Sequence, residues 1–198
     1  GHYLSKSQHD LEISRALQDL NTKVTPDNKD LLESKISKHG KDILKVAKIV
    51  KKYQDAAKKR ANDLGADIDD IDGFVVRQQH DRYRVSKVDS DKWVDDILPK
   101  LDLIKIGMSE EDAPEVLAEI YKSLVSGVHS NQAQTDAIKG FTGPANIAKK
   151  MSKSRVIHFK DADNWFEYNQ QYGSGSLTES ILGDMESASR NNALMDRF

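Results

Sequence analysis

The 198-residue chain has no cysteine, which excludes disulfides, thiolate metal ligands and thiol nucleophiles together and suits a reducing compartment. Proline is scarce at four residues and glycine modest at eleven, too few turn formers for a protein built from many short strands. Long apolar runs are missing too: no stretch approaches the roughly 18 consecutive apolar residues of a membrane span, and no basic-then-apolar leader opens the chain. A strong overall charge is also absent, the net value being −2. What is present, 31% charged and 37% hydrophobic residues, predicts a soluble, predominantly helical, globular chain well away from the disordered class. Its size allows one large domain or two small ones.

The near-neutral total hides an asymmetry. Residues 35–60 carry ten lysines and arginines against Asp42 and Asp55, a net +8, which leaves −10 for the rest of the chain. On a helix, Lys38, Lys41, Lys45, Lys48, Lys52 and Lys59 fall within a sector about 80° wide, a stripe rather than a ring. Such a stripe suits phosphates, because each one neutralised releases condensed counterions. It suits anionic lipid headgroups equally. The plainer reading is a solvated outer face, or pairing with the acidic stretch that follows at Asp63, Asp67, Asp69, Asp70 and Asp72.

Apolar periodicity predicts a helix over about 5–20 and another from Pro26, with Thr25 as N-cap and Leu31, Leu32 and Ile36 inward. Gly40 breaks or bends that helix before the run to Leu64, where Ile43, Val46, Ala47, Val50, Tyr53, Ala57 and Leu64 supply the buried side. Gly65 ends it. The β-branched and aromatic runs 74–77 and 83–85, separated by a polar turn, predict a small hairpin near 74–85. Short helices follow around Trp93 and from Pro114 to Val128. The Asn-, Gln-, Thr- and Gly-rich residues 131–144 read as a linker, then 145–151 as a short basic helix and 156–159 as an extended segment. Asp161 caps a helix carrying Trp165, Tyr168 and Tyr172 that Gly173 ends, and Ser176 with Glu179 forms an S-x-x-E capping box opening the last helix.

Motifs that carry chemistry are few. Trp165, Tyr168 and Tyr172 could present rings for stacking on bases, but their helical spacing beside an amphipathic helix points to core packing. None of His9, His39, His80, His129 and His158 forms an H-x-x-x-H or H-E-x-x-H pair, so no zinc site is expected. His80-Asp81 could orient an imidazole for proton transfer, although adjacent polar residues at a turn are usually solvated. The stretch from Asp67 has the acidity of a calcium loop and fails its pattern, with Asp72 where the glycine belongs and Gln78 where the glutamate belongs. No phosphate-cradling loop, nucleophile elbow or interpretable carboxylate pair is present. No catalytic residue, metal or cofactor is therefore expected.

The C-terminal segment Val156-Ile157-His158-Phe159-Lys160-Asp161-Ala162-Asp163-Asn164-Trp165-Phe166-Glu167-Tyr168-Asn169, with Tyr172-Gly173, Ser176-Leu177 and Asn192-Ala193-Leu194-Met195, resembles a pattern in the very large internal virion proteins of tailed bacteriophages. Gly73-Phe74-Val75-Val76-Arg77-Gln78-Gln79-His80-Asp81 is similar to a segment preceding it there. The resemblance covers about 70 residues, in aromatic anchors and caps rather than an active-site signature. It implies a non-enzymatic structural or ejection segment of a longer chain, made in the host bacterial cytoplasm and carried in the virion interior. Its partners would then be other virion proteins, the rest of its own parent chain, or the genome. The alternatives are a nucleic-acid-binding module using the lysine stripe, and a cryptic enzyme gathering His80, His158 and distant carboxylates. The expected architecture is all-α, an irregular multi-helix bundle of about eight helices with the minor hairpin. Its organisation is Gly1-His2 as a tag remnant, a helical region over 3–130, the linker over 131–144, and a C-terminal helical region over 145–198 packing on the first.

Overall fold

The computed structural model of the chain describes residues 5–65, 70–76, 78–126, 157–173 and 175–196. The expected tag remnant, the linker at 131–144, the basic helix at 145–151 and residues 67–69 of the supposed calcium loop lie outside these. The described chain is predominantly helical. It divides into two compact units, one comprising Gly1–Arg77, Asp161–Phe166 and Ser176–Phe198, the other Gln78–Lys160 and Glu167–Gly175.

The first unit holds α1 (Lys6–Asn21), α2 (Lys29–Lys38), α3 (Lys41–Asp63), the first turns of α8 (Ala162–Tyr172) and α9 (Leu177–Met195). A reciprocal capping box starts α1: Gln8 N–H donates to Ser5 Oγ at 3.2 Å while Gln8 Oε1 accepts from Ser5 N–H at 2.9 Å. Helix α2 begins later than the Thr25-Pro26 signal predicts. Asn28 Oδ1 takes the Thr25 N–H at 2.8 Å and folds residues 25–28 into a turn before Lys29. The chain breaks at Gly40, whose extended backbone serves as the N-cap of α3, so Lys38 and Lys41 stand on different helices.

Helix α3 packs against α1 and α9. Its closest-packed positions are Ala47 and Ala61, both buried, where a methyl side chain lets neighbouring backbones approach. The expectation that Val46 and Tyr53 are buried fails: they are 41% and 55% exposed, and Ile49 beside them is 48% exposed. Polar side chains fill the space instead. Gln54 Nε2 donates to the Val75 carbonyl at 2.8 Å, Lys51 Nζ to Asn21 Oδ1 at 2.8 Å, and Lys58 pairs with Asp70. The contacting arc is thus centred on Gln54 and Ala61, rotated away from the arc that hydrophobicity alone suggests.

The predicted hairpin is not found: the described residues of 74–85 form no strand. Residues 74–76 run irregularly with Val75 and Val76 buried, and their carbonyls are satisfied by side chains: Asn21 Nδ2 donates to Phe74 O at 2.7 Å and Gln54 Nε2 to Val75 O. The second supposed strand is a helix, α4 (Arg82–Val85), because Asp81 accepts the Tyr83 and Arg84 N–H groups and so caps it. The two runs belong to different units. β-branched residues signal burial equally well in coil and short helix, so the pattern that predicts a ladder reports burial alone.

The second unit contains α4, α5 (Ser90–Ile97), a 3-10 turn at Leu98–Lys100, α6 (Leu103–Ile106), α7 (Ala113–Ser126) and the remainder of α8. Aspartates cap three of these helices: Asp81 on α4, Asp89 on α5 through Lys92 N–H at 2.8 Å, and Asp102 on α6 through Lys105 N–H at 3.1 Å. Its core gathers Val85, Trp93, Ile97, Leu101, Val116, Leu117, Tyr168 and Tyr172. The extended segment at 157–160 pairs with residues 100–102 through one antiparallel bridge, Leu101 to Phe159, flanked by Asp102 N–H to His158 O and Lys160 N–H to Lys100 O, both at 2.9 Å.

Candidate nucleic-acid interface

Helix α3 presents Lys41, Lys45, Lys48, Lys52 and Lys59 to solvent, and Lys38 is exposed at the end of α2. Lys59 bonds Asp63 one turn on at 2.7 Å. For Lys38, Lys41, Lys45, Lys48 and Lys52 the described residues offer no ion pair. Of the acidic stretch, Asp63 is taken by Lys59 and Asp70 by Lys58, which leaves Lys41, Lys45, Lys48 and Lys52 without an ion pair among the described residues. Asp70 pairs with Lys58, whose hydrogen bond and charge, helped by Lys51, hold its carboxyl below the ordinary range, while Lys51 bonds Asp55 at 3.2 Å. Lys51 and Lys58 sit on the inward side of the helix, and the stripe lies outside their reach.

Beside the lysines runs a second row. At about 100° per residue, Val46, Ile49 and Tyr53 (i, i+3, i+7) share a flank roughly 90° around α3 from the lysine row. Three large apolar side chains exposed along one helix edge are a feature that the sequence reading missed. A signal for it was present, because the apolar residues of α3 span a wider arc than its neighbours can cover.

At the C-terminal half of α3 a cleft of about 1110 Å³ opens between Asn21, Gln54, Lys58, Asp70, Phe74 and Met185. The charges of Lys51 and Lys58 there are taken up by Asp55 and Asp70. Gln54 Oε1 is buried and has no donor among the described residues.

The second unit holds the other polar cluster. Trp93 Nε1–H donates to Tyr168 Oη at 3.1 Å, and the same oxygen lies 2.7 Å from His80 Nδ1. Indole is a donor only, so the phenol accepts from Trp93 and has its own proton to give to His80. Burial pushes the Tyr168 phenol well above its ordinary value, outweighing the Trp93 bond. Nearby, Tyr172 Oη–H donates to Asp96 Oδ2 at 2.5 Å, and burial with this bond raises that phenol as well. The Tyr168 ring packs with Phe159, Tyr172 and Trp93 at centroid separations of 5.2–6.4 Å. His158 is elsewhere engaged: its imidazole is held below its ordinary value by burial and by Lys105, against Asp102. His39 bonds Asp19 at 2.8 Å. Among the described residues no three His, Cys, Asp or Glu side chains converge as metal ligands.

Of the aromatic and capping residues singled out in the sequence, Trp165, Tyr168, Tyr172, Gly173 and Ser176 are interior parts, whereas Glu179 is exposed. Trp165, Tyr168 and Tyr172 are all buried and offer no ring faces to a ligand. A Cβ at Gly173 would run into Asn169 Oδ1, so the residue ending α8 must be small. Ser176 Oγ accepts from Glu179 N–H at 3.4 Å at the start of α9, and the buried Asp10 carboxylate accepts from Leu177 N–H at 3.1 Å. No described helix is long and apolar enough to cross a membrane. Comparisons with protein-family models, with curated proteins and with solved structures find no match.

Proposed function

We propose that this chain is a non-enzymatic helical module that contacts nucleic acid through the outer face of α3. The observation that carries the reading is the row of exposed lysines, Lys41, Lys45, Lys48 and Lys52, that the described residues leave without an anion. A lysine that solvates a helix can be drawn into an i, i+4 pair, as the exposed Lys59 is here with Asp63. An uncompensated row concentrates positive potential along one edge, the arrangement that exchanges condensed counterions for protein charge.

Fluorescence anisotropy with labelled DNA and RNA at about 50 and 200 mM salt tests this. Four to five lysine–phosphate contacts imply an affinity falling roughly 50- to 500-fold over that range. Replacing Lys45, Lys48 and Lys52 together by glutamate removes the binding. Absence of binding at the lower salt, or binding that survives the triple replacement, refutes the proposal.

The C-terminal segment favours a second reading at another level, the source of the chain. Its resemblance to internal virion proteins of tailed bacteriophages supports a structural or ejection segment of a longer protein, housed in the virion interior against other virion proteins and the genome. A predominantly helical chain suits that role. Among the residues carrying the resemblance, Val75, Val76, Trp165, Phe166, Tyr168 and Tyr172 are buried and Asp161 and Ser176 cap helices, so these bear on parentage and leave the contact surface to α3. Detection of this chain's peptides in purified phage particles by mass spectrometry supports this reading, and their confinement to infected-cell cytoplasm counts against it.

A further inference from the structure

We propose that α3 takes a single strand of nucleic acid laid along its axis, phosphates over the lysine row and unstacked bases over Val46, Ile49 and Tyr53. This rests on the reading of α3 as a nucleic-acid interface. The two rows are parallel and adjacent, and each suits one side of a single strand. Successive lysines at 41, 45, 48 and 52 rise by about 4.5–6 Å along the helix, so the row offers one ammonium per phosphate over on the order of four nucleotides. The neighbouring flank has no charge that would hold a phosphate: Asp42, at about the same angle as Ile49, would repel one, and Arg60 is bonded to Asp196 at 3.3 Å. An exposed Tyr53 ring and two aliphatic side chains are a surface for base faces.

Duplex does not account for this flank. In a duplex the base faces are stacked inside, and groove reading relies chiefly on donors and acceptors; Val46 and Ile49 have none, and Tyr53 has one hydroxyl. An anionic bilayer accounts for it less well. A helix lying in the interface carries basic residues on its polar face with an uninterrupted apolar face below. Here Asp42 stands in the apolar row and would be carried into the headgroup layer with it.

Anisotropy on the whole chain with a fluorescein-labelled oligo(dT) of about 15 nucleotides, and with a duplex of equal length, tests the inference. The single strand binds at least about tenfold more tightly at equal salt. Tyr53→Ala weakens single-strand binding roughly 5- to 100-fold and leaves the salt slope unchanged, whereas Lys45→Glu with Lys48→Glu reduces the slope by about 1.4. Tyr53 is 55% exposed, so the variant keeps its fold, checked by far-ultraviolet circular dichroism; Ile49→Ser is the second variant, expected to act in the same direction. Equal affinity for duplex, or no effect of either apolar replacement while the lysine pair still abolishes binding, overturns the single-strand inference and leaves the nucleic-acid reading standing. Failure to bind any nucleic acid overturns both. Co-sedimentation with phosphatidylserine vesicles in preference to oligo(dT), lost on Ile49→Ser, assigns the face to lipid and overturns both as well.

Discussion

Removing one oxygen from the core of the second unit provides a sharp test of the packing described above. Tyr168→Phe keeps the ring and its contacts with Phe159 and Trp93, so the volume change is small and the effect is one of hydrogen bonding. The hydroxyl oxygen serves two partners, accepting from the fully buried Trp93 indole at 3.1 Å and meeting His80 Nδ1 at 2.7 Å. A buried donor stripped of its acceptor costs about 1–3 kcal/mol. The half-buried imidazole can turn to water and adds about 0.5–1 kcal/mol, so the expected loss is about 2–3 kcal/mol. With a urea slope of about 1–3 kcal/mol/M, the midpoint falls by roughly 1 M. The chain has two tryptophans, Trp93 in this unit and Trp165 in the other. Urea titration in a Trp165→Phe background therefore reports on the Trp93 environment alone. A loss below about 0.5 kcal/mol, or a Tyr168→Phe cost unchanged by prior replacement of His80 with alanine, would show that the phenol does not join the two groups.

Two further outcomes follow from the caps and charges. Asp10→Ala removes a buried carboxylate from the N-terminal N–H of α9 at Leu177, where both the hydrogen bond and the helix dipole favour negative charge; the expected cost is about 1–3 kcal/mol. Thermal unfolding followed at Trp165 checks it, with Asp10→Asn recovering part of the loss. The second concerns acid. Burial would raise the Asp96 carboxyl, but bonds from Lys92 and Tyr172 and the charge of Lys92 outweigh burial and hold it below its ordinary 3.8; burial and Lys105 hold His158 below its ordinary 6.5. Both groups bind a proton more readily in the unfolded chain. Their stabilisation is therefore complete above the ordinary value and is lost as pH falls, beginning near pH 6.5 for His158 and near pH 4 for Asp96. Stability measured across these windows falls in two stages, and His158→Gln flattens the first while Asp96→Asn flattens the second.

The helical character, the break at Gly40, the end at Gly173 and the capping role of Ser176 were legible because each depends on neighbours within one turn. Local chemistry settles them: capping oxygens and residues without a Cβ act on the backbone nearby. The hairpin was misread for a related reason. Val75 and Val76 report burial truthfully, but which partner satisfies their backbone groups is decided by Asn21 and Gln54, distant along the chain. The core placement of Trp165, Tyr168 and Tyr172 followed from their spacing. The pairing of the Tyr168 oxygen with His80 and Trp93 did not, since no short-range pattern brings residues 80, 93 and 168 together.

The candidate interface divides along the same line. Composition and helical periodicity alone determined that lysines at 41, 45, 48, 52 and 59 share one side of a helix, because side-chain direction is set by backbone geometry. Only the tertiary structure decided which arc of α3 turns inward, drawing in Gln54, Lys51 and Lys58 and leaving Val46, Ile49 and Tyr53 outside. Helix rotation is chosen by the summed contacts of α1, α9 and the loop carrying Asp70, and those contacts are long-range.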